Sequence, residues 1–540
     1  MWETGNVSER WLSPAAMAVA GVLLFLGYLA APSAHDRAVR HLPKPSGYLP
    51  ILHNTVQVMR AQRSGRLHDW ILEHCRKWQG KPWVLRILGK TPTVVVCCPE
   101  AFEDIQKTQF DAFEKSPFVS EAMFDVLGQG IFAISGPLWQ HQRKTASHLF
   151  TTQMIQHAMN EIAHHKCTAL VKRLDEVSRQ VSAADRVVSL KRLLDLYTMD
   201  IFAKVGFGVD LHGVETNENA ELLDSFDRSS MRILQRIQQP MWVWKLLRWL
   251  NVGPEKQLAE DMKLTNDLVY GVISRSIEEK SNKRVDAVTA DDGGQKDLIS
   301  LFIDKADVEY TKGTHTAKDL KLMRDFAISF LAAGRETTSQ SMSWVILMLN
   351  RYPIVLKRVR QEIKDKLPEL VNGNPPTMED IQRLVYLEAT VRETLRLFPV
   401  VAITGRSATR DVTLYEGTFI KAGTRVIMPH YSMGRMQTIW GDDVAEFKPE
   451  RWIDEVTGKL KVMSPFKFSV FLGGPRICIG MKFALAEVKI TLATLLSQFD
   501  FKTVKDPFDF TYRSSITLQI KGALDVTVSR LETKGRAEEY

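Results

Sequence analysis

The 540-residue chain is 45% hydrophobic and 25% charged, enough apolar material to bury a large core. A net charge of +8 suits a membrane surface or an acidic protein partner, and nothing resembles a nucleic-acid module. Five cysteines, odd in number and irregularly spaced, argue against a disulfide framework and for a reduced, cytosol-facing protein. No internal repeat and no mid-chain shift of composition marks a second domain.

Trp11 to Ala31 carries no charge and is about long enough to span a hydrocarbon core. A cleaved signal peptide is the rival reading, but the stretch is long for one and its preceding segment is not basic. Glu3 and Glu9 precede it and Arg37, Arg40 and Lys44 follow, which puts the remainder on the cytosolic side. The expected layout is a membrane anchor over residues 1–36, with one transmembrane helix at about 11–31. A basic, proline-rich hinge follows over 37–50, and a single catalytic body over 51–540.

Trp83 to Leu88 and Thr93 to Cys98 flank Gly89-Lys-Thr-Pro92 and read as a β-hairpin, with a helix opening at Pro99. From there to about residue 380 the apolar period is mostly helical. Trp139 and Arg143, at i and i+4, share one helix face, which alone is a surface ladder more often than a site. His164, His165 and Cys167 do not converge on one metal and read as solvated surface. Pro240 to Trp249 mixes tryptophans with Lys and Arg, as a core amphipathic helix or a membrane-interface lid would. Ser281 to Gln295 reads as a polar loop.

Thr316-Ala-Lys-Asp319 is a capping-box signal and Pro353 a stop, bounding a helix of roughly thirty residues. Near its middle lies Ala333-Gly-Arg-Glu-Thr-Thr338. A mid-helix glycine is locally costly, and the Thr337 hydroxyl can bond back to the Ala333 carbonyl and open the helix slightly. Glu393 and Arg396 are i, i+3 partners, a pair common by chance. Arg406 falls in a presumed strand. Ser514 to Leu518 and Leu524 to Val528, around Lys521-Gly522, read as a final hairpin.

The stretch Phe471-Leu-Gly-Gly-Pro-Arg-Ile-Cys-Ile-Gly480 is the most specific signal. The amphipathic run Met481 to Phe499 places Cys478 at a helix N-terminus, where free amides and the dipole favour a thiolate. Gly474 and Gly480 let backbone bend around the sulfur and admit a flat ligand, whose anionic group Arg476 can reach. A buried core cysteine beside a glycine turn is the bland alternative.

The spacing F-x-x-G-x-R-x-C-x-G resembles the haem-ligand loop of the cytochrome P-450 superfamily, and the likeness extends over residues 40 to 531. It implies a mainly α fold, a helical body with small peripheral β-sheets. It further implies non-covalent haem b with Cys478 as thiolate ligand of iron, Arg476 on a propionate, and Phe471 beside the sulfur at the loop closed by Gly480. Trp139 and Arg143 match the family's W-x-x-x-R helix, which holds a propionate, and Arg406 would meet the second. Glu336 and Thr337 match A-G-x-[D/E]-T-T, which serves proton delivery during oxygen activation. Glu393, Arg396 and Arg451 match a structural cluster of the same family.

The resemblance implies a monooxygenase that takes electrons from a separate NADPH-cytochrome reductase, with cytochrome b5 as a further partner, on the endoplasmic reticulum membrane. Lys204-Val-Gly-Phe-Gly-Val-Asp210, Leu247-Arg-Trp-Leu-Asn-Val-Gly253 and Tyr431-Ser-Met-Gly-Arg-Met436 resemble the fatty-acid ω-hydroxylase and alkane hydroxylase branch. The implied substrate is a long-chain fatty acid, hydroxylated at or near its terminal carbon. Animal fatty-acid hydroxylases carry a haem-esterifying glutamate where this chain has Ala333, which argues against a covalent bond. The alternatives are a sterol or xenobiotic monooxygenase and, in another class, a haem-thiolate isomerase or haem sensor.

Overall fold

The computed structural model describes residues 31–216, 220–286, 317–372 and 375–531, together with positions 17, 19 and 21. The expected transmembrane helix at 11–31 lies almost wholly outside these residues. Among the described residues no helix is long and apolar enough to cross a membrane.

Helices build the body, as the apolar period predicts. Those that shape the site are Pro117–Leu127 (α1), Gly136–Ser147 (α2), Leu190–Phe207 (α3), Ala220–Gln238 (α4) and Met241–Leu250 (α5). They continue with Gly253–Asp286 (α6), Ala317–Arg351 (α7), Val385–Leu397 (α8) and Met481–Gln498 (α9). Proline sits in the first turn of α1 and α2, where its missing N–H has no helical partner to lose. The 35-residue α7 is the axis. Helix α3 packs along it more extensively than any other pair of described elements, because a Cβ on Gly334 would lie 2.1 Å from the Phe202 ring. The mid-helix glycine is thus the seat of a helix–helix contact. The polar loop predicted from Ser281 starts later than expected, since α6 continues to Asp286.

The strands are short and peripheral. Trp83–Leu85 (β1) and Thr93–Val95 (β2) form the predicted hairpin. With Phe113–Glu114 (β3), Thr404–Ala408 (β5) and Arg425–Met428 (β8) they make a five-stranded sheet in the order β1-β2-β8-β5-β3. Val187–Ser189 (β4), Asp525–Arg530 (β12) and Phe499–Thr503 (β9) form a second sheet, and Val412–Thr413 (β6) pairs with Phe419–Ile420 (β7).

The predicted final hairpin is corrected. Tyr512–Ser514 (β10) pairs with Leu518–Ile520 (β11), so the tight turn is at 515–517, and β12 leaves to pair with β9 and β4. That choice buries Val526 and Val528 between distant partners. Two surface expectations also change. Cys167 is fully buried, and Trp244 is 1% exposed with the Arg236 guanidinium 4.6 Å above its ring. Trp242 and Trp249, by contrast, are 68% and 79% exposed. The proline-rich segment is strapped to β1, with the Pro43 carbonyl accepting from the Val84 N–H at 2.9 Å and Asp36 paired to Arg86 at 2.8 Å.

Candidate active site

The cysteine loop is fixed from outside. Gly474 has φ +60°, and a Cβ there would lie 2.0 Å from the Gln106 carbonyl oxygen, so only glycine fits both the left-handed backbone and the close approach. The Gln106 side chain in turn accepts from the Gly473 N–H at 2.7 Å. Within the loop the Cys478 N–H donates to the Phe471 carbonyl at 2.7 Å, and α9 starts directly after Gly480. Phe150, packed against Gly480, meets Phe483 of α9 at 6.1 Å and Phe330 of α7 at 5.9 Å. Phe202 of α3 touches both of those rings, so the loop is keyed to the long helix.

The thiol of Cys478 is exposed, yet burial is the largest influence on its pKa. The sulfur therefore opens onto an enclosed space rather than bulk solvent. Burial pushes the thiol up, and the Gly480 N–H and the Arg143 charge offset this only in part.

Beside the sulfur lies a nest of cations. Arg143 donates to the Ile477 carbonyl at 2.7 Å, and Arg476 lies 4.1 Å over the Trp139 ring and donates to Ile134 O and Ser135 Oγ. Arg406 is buried on β5 and donates only to its neighbour's carbonyl at 2.9 Å. Burial pulls Arg406 down to about 10 and Arg476 to about 9, the latter helped by repulsion from Arg406 and Arg143. Lys115, which the sequence reasoning missed, joins them and is pushed well below its usual range by burial and by Arg406 and Arg476. No local motif marks it, since it reaches the nest only through the fold. Glu114 is the one acid acting on Arg476, and the buried Arg476 Nε has no partner. Such crowding of desolvated like charge is stable only around an anion, ideally a dianion.

On α7 the half-exposed positions amid buried neighbours are Ala332, Ala333 and Thr337, so one face of the helix borders an open space. The Thr337 hydroxyl donates to the Ala333 carbonyl as expected. Glu336 is turned elsewhere. Its carboxylate accepts from Gln519 Nε2 at 2.5 Å and from Thr517, and lies 3.7 Å from Arg335. Segments from elsewhere in the chain are tied to this helix. Asp325 accepts from the Gln129 N–H at 2.9 Å, Trp344 Nε1 donates to the Leu518 carbonyl at 2.9 Å, and the Leu518 N–H donates to Val400 at 2.7 Å.

Glu393 and Arg396, fully buried, form a bidentate pair with both bonds at 2.8 Å. Arg396 also donates to the carbonyls of Gly434, Val444 and Glu446, and Arg451 approaches Glu393 at 3.5 Å. This cluster locks the segments before the cysteine loop and faces no cavity.

Comparison with known proteins agrees with this architecture. The cytochrome P450 family profile matches residues 43–524. The chain is similar to cytochrome P450 CYP94D108 of Paris polyphylla, 32% identical over 469 residues covering 84% of this chain and 88% of that protein. It is 32% identical to cytochrome P450 94B1 of Arabidopsis thaliana over 474 residues, 86% of this chain and 88% of that one. To cytochrome P450 704C1 of Pinus taeda it is 30% identical over 543 residues, 97% of this chain and 98% of the relative.

Proposed function

The chain belongs to the cytochrome P450 family and is a monooxygenase that binds haem b non-covalently and draws electrons from a redox-partner reductase, and from that premise we propose that it hydroxylates a long-chain fatty acid at or near its terminal carbon.

Haem supplies the oxygen chemistry, and every other task falls to side chains of this chain. Cys478 would hold the iron through its sulfur, a thiolate donor that favours oxygen activation. Arg143, Arg406, Arg476 and Lys115, with Trp139 beneath Arg476, would hold the haem's carboxylates. Phe471 and Gly480 hold the sulfur in place. Thr337, on the open face of α7, would offer its hydroxyl for proton delivery into the space it borders. Glu336 is held by Thr517, Gln519 and Arg335 rather than behind Thr337, so the proton-delivery role rests on Thr337. The apolar walls exclude water and restrain the chain end, because a terminal methyl C–H is stronger than its methylene neighbours and positioning must supply the selectivity. The observation that carries the haem assignment is the exposed sulfur in an enclosed space beside four clustered cations met by a single acid, Glu114. The acyl substrate is supported by the branch-like phrases around Lys204, Leu247 and Tyr431.

We also place the protein on the endoplasmic reticulum membrane, anchored by residues 1–36 with its body cytosolic, where cytochrome b5 is available as a second electron donor. Product analysis with reductase, NADPH and a panel of saturated fatty acids, with a sterol as control, tests the substrate. Terminal alcohols from the acids support it, and turnover of the sterol alone overturns it. Cys478→Ser should abolish the thiolate spectrum of the reduced carbon monoxide complex while replacement of Cys75, Cys97, Cys98 or Cys167 leaves it. A normal spectrum in the Cys478 variant would refute the ligand.

A further inference from the structure

The five-stranded sheet holds a second pair of cations, Arg425 on the face opposite Arg406 and Lys90 in the β1–β2 turn, neither of which has an ion-pair partner among the described residues. Arg406 is registered with Val426, and Ser407 with Arg425, so Arg406 and Arg425 project from opposite faces. The Arg425 guanidinium packs 3.5 Å from where a Cβ on Gly405 would lie. Its Nε is buried without a hydrogen-bond partner. Lys90, in the β1–β2 turn, lies 5.0 Å over the Phe118 ring and donates to the Ile237 carbonyl. Both cations line a cavity of about 200 Å³ with Thr91, Thr93, Ser116 and Phe118, and among the described residues no acid lines it.

Burial lowers Arg425 to about 10, and burial together with Arg425 lowers Lys90 to about 7. Neither cation acts on the nest around Cys478, whose members perturb one another instead. Neighbouring cations of the same surface are neutralised. Lys245 pairs with Glu121, Arg248 with Asp125, and Arg236 with Glu255. Two desolvated like charges kept together without an acid form a site for an anion. The cavity continues past Gly89, Pro240 and Met241 into a second opening of about 540 Å³ walled by Leu88 and Trp242. An anion bound there would have apolar surface beside it, and α1 begins at its edge, with Ser116 as its N-cap and Phe118 in its first turn.

We propose that Arg425 and Lys90 bind the carboxylate of the acyl substrate at the channel mouth, so that the opposite, methyl end is the one delivered to the haem. This rests on the fatty-acid reading above and gives it a recognition element. Thr91, Thr93 and Ser116 supply hydroxyls for the remaining carboxylate lone pairs.

The test uses the holoenzyme and two probes, hexadecanoic acid and its methyl ester, with substrate-induced spin shifts as readout. The wild type should bind the acid at least ~10-fold more tightly than the ester, since a charge-assisted contact is worth about 10- to 100-fold. Arg425→Gln should remove most of that preference while leaving ester binding unchanged, and products from the acid should spread inward from the terminal carbon. Arg425 is the other titratable group lining the cavity. Acid binding should therefore weaken as pH rises from 6 to 9 and Lys90 loses its proton, with ester binding flat and the slope absent in Lys90→Met. This wild-type pH arm decides the matter even if Arg425→Gln fails to fold. Equal binding of acid and ester by the wild type, or an unchanged ratio in Arg425→Gln, overturns the carboxylate site while leaving an acyl substrate standing. Binding of neither acyl probe, with turnover of a sterol, overturns the acyl reading and this site with it.

Discussion

Thr337 and His68 show how single side chains set chemistry and stability in this body. Thr337 bonds back to Ala333 on the open face of the long helix, which runs unbroken through this point, so its hydroxyl is positioned. General-acid assistance is typically worth about 100-fold. Thr337→Ala should therefore keep haem and substrate binding yet divert reducing equivalents to peroxide, measured as product formed per NADPH. Unchanged coupling would remove Thr337 from the proton path. His68 is buried between the rings of Tyr431 and Tyr512, at 5.6 and 5.3 Å, and burial lowers its pKa to about 4. In the unfolded chain it takes a proton below about 6.5, and in the fold it resists until about 4. The unfolded state thus binds more protons between those values, and stability is lost as pH falls through that window. The loss amounts to about 3 kcal/mol at its acid end. Denaturant unfolding at pH 7 and 4.5 should show a smaller acid loss for His68→Asn than for the wild type.

At the scale of elements, two glycines carry contacts that no larger residue allows. Gly334→Ala would drive a methyl into Phe202 at 2.1 Å, separating α3 from α7 and destabilising by about 1–3 kcal/mol, readable as a lowered Tm of the holoenzyme. Gly474→Ala meets backbone at Gln106, which cannot rotate away, so its effect should be larger and appear as haem loss rather than as a shifted Tm alone. These two positions also mark what the sequence discloses. The cysteine loop, the bonded Thr337, the helix between Thr316 and Pro353 and the Glu393–Arg396 pair are local patterns, and each is legible from spacing. Lys115, the Gln106 brace, and the Thr517 and Gln519 contacts to Glu336 are products of chain crossing, with nothing in their neighbours to announce them. The C-terminal hairpin was misassigned for the same reason. Leu524 to Val528 has strand composition, but the partner that buries its valines is the remote Phe499–Thr503, and alternation cannot name a partner.

For the whole molecule, the proposed membrane placement asks which surface of the described body meets lipid. One group of exposed apolar side chains lies on and beside α5. Trp242, Leu246, Trp249 and Leu250 project from α5, and Leu49 and Leu52 stand near Ile87, beside the opening that Leu88 shares with Trp242. Lys245 and Arg248 border them, as suits an interface where indoles sit at headgroup depth and cations stay in water. Removing residues 1–30 leaves the Asp36–Arg86 strap and the body intact, so the truncated protein should fold with haem and still float with lipid vesicles, more weakly in high salt. Trp242→Ser with Trp249→Ser in that truncated chain should lower vesicle affinity by at least ~10-fold, because each indole removes a large apolar area from the interface. Trp244→Ser provides the internal contrast. That ring is packed beneath Arg236 and reaches no solvent, so its loss should lower Tm by opening a cavity and leave the vesicle affinity of the folded fraction unchanged. Equal vesicle affinity in the double variant and its parent would mean that α5 does not touch lipid, and the access opening beside Trp242 would then face the cytosol.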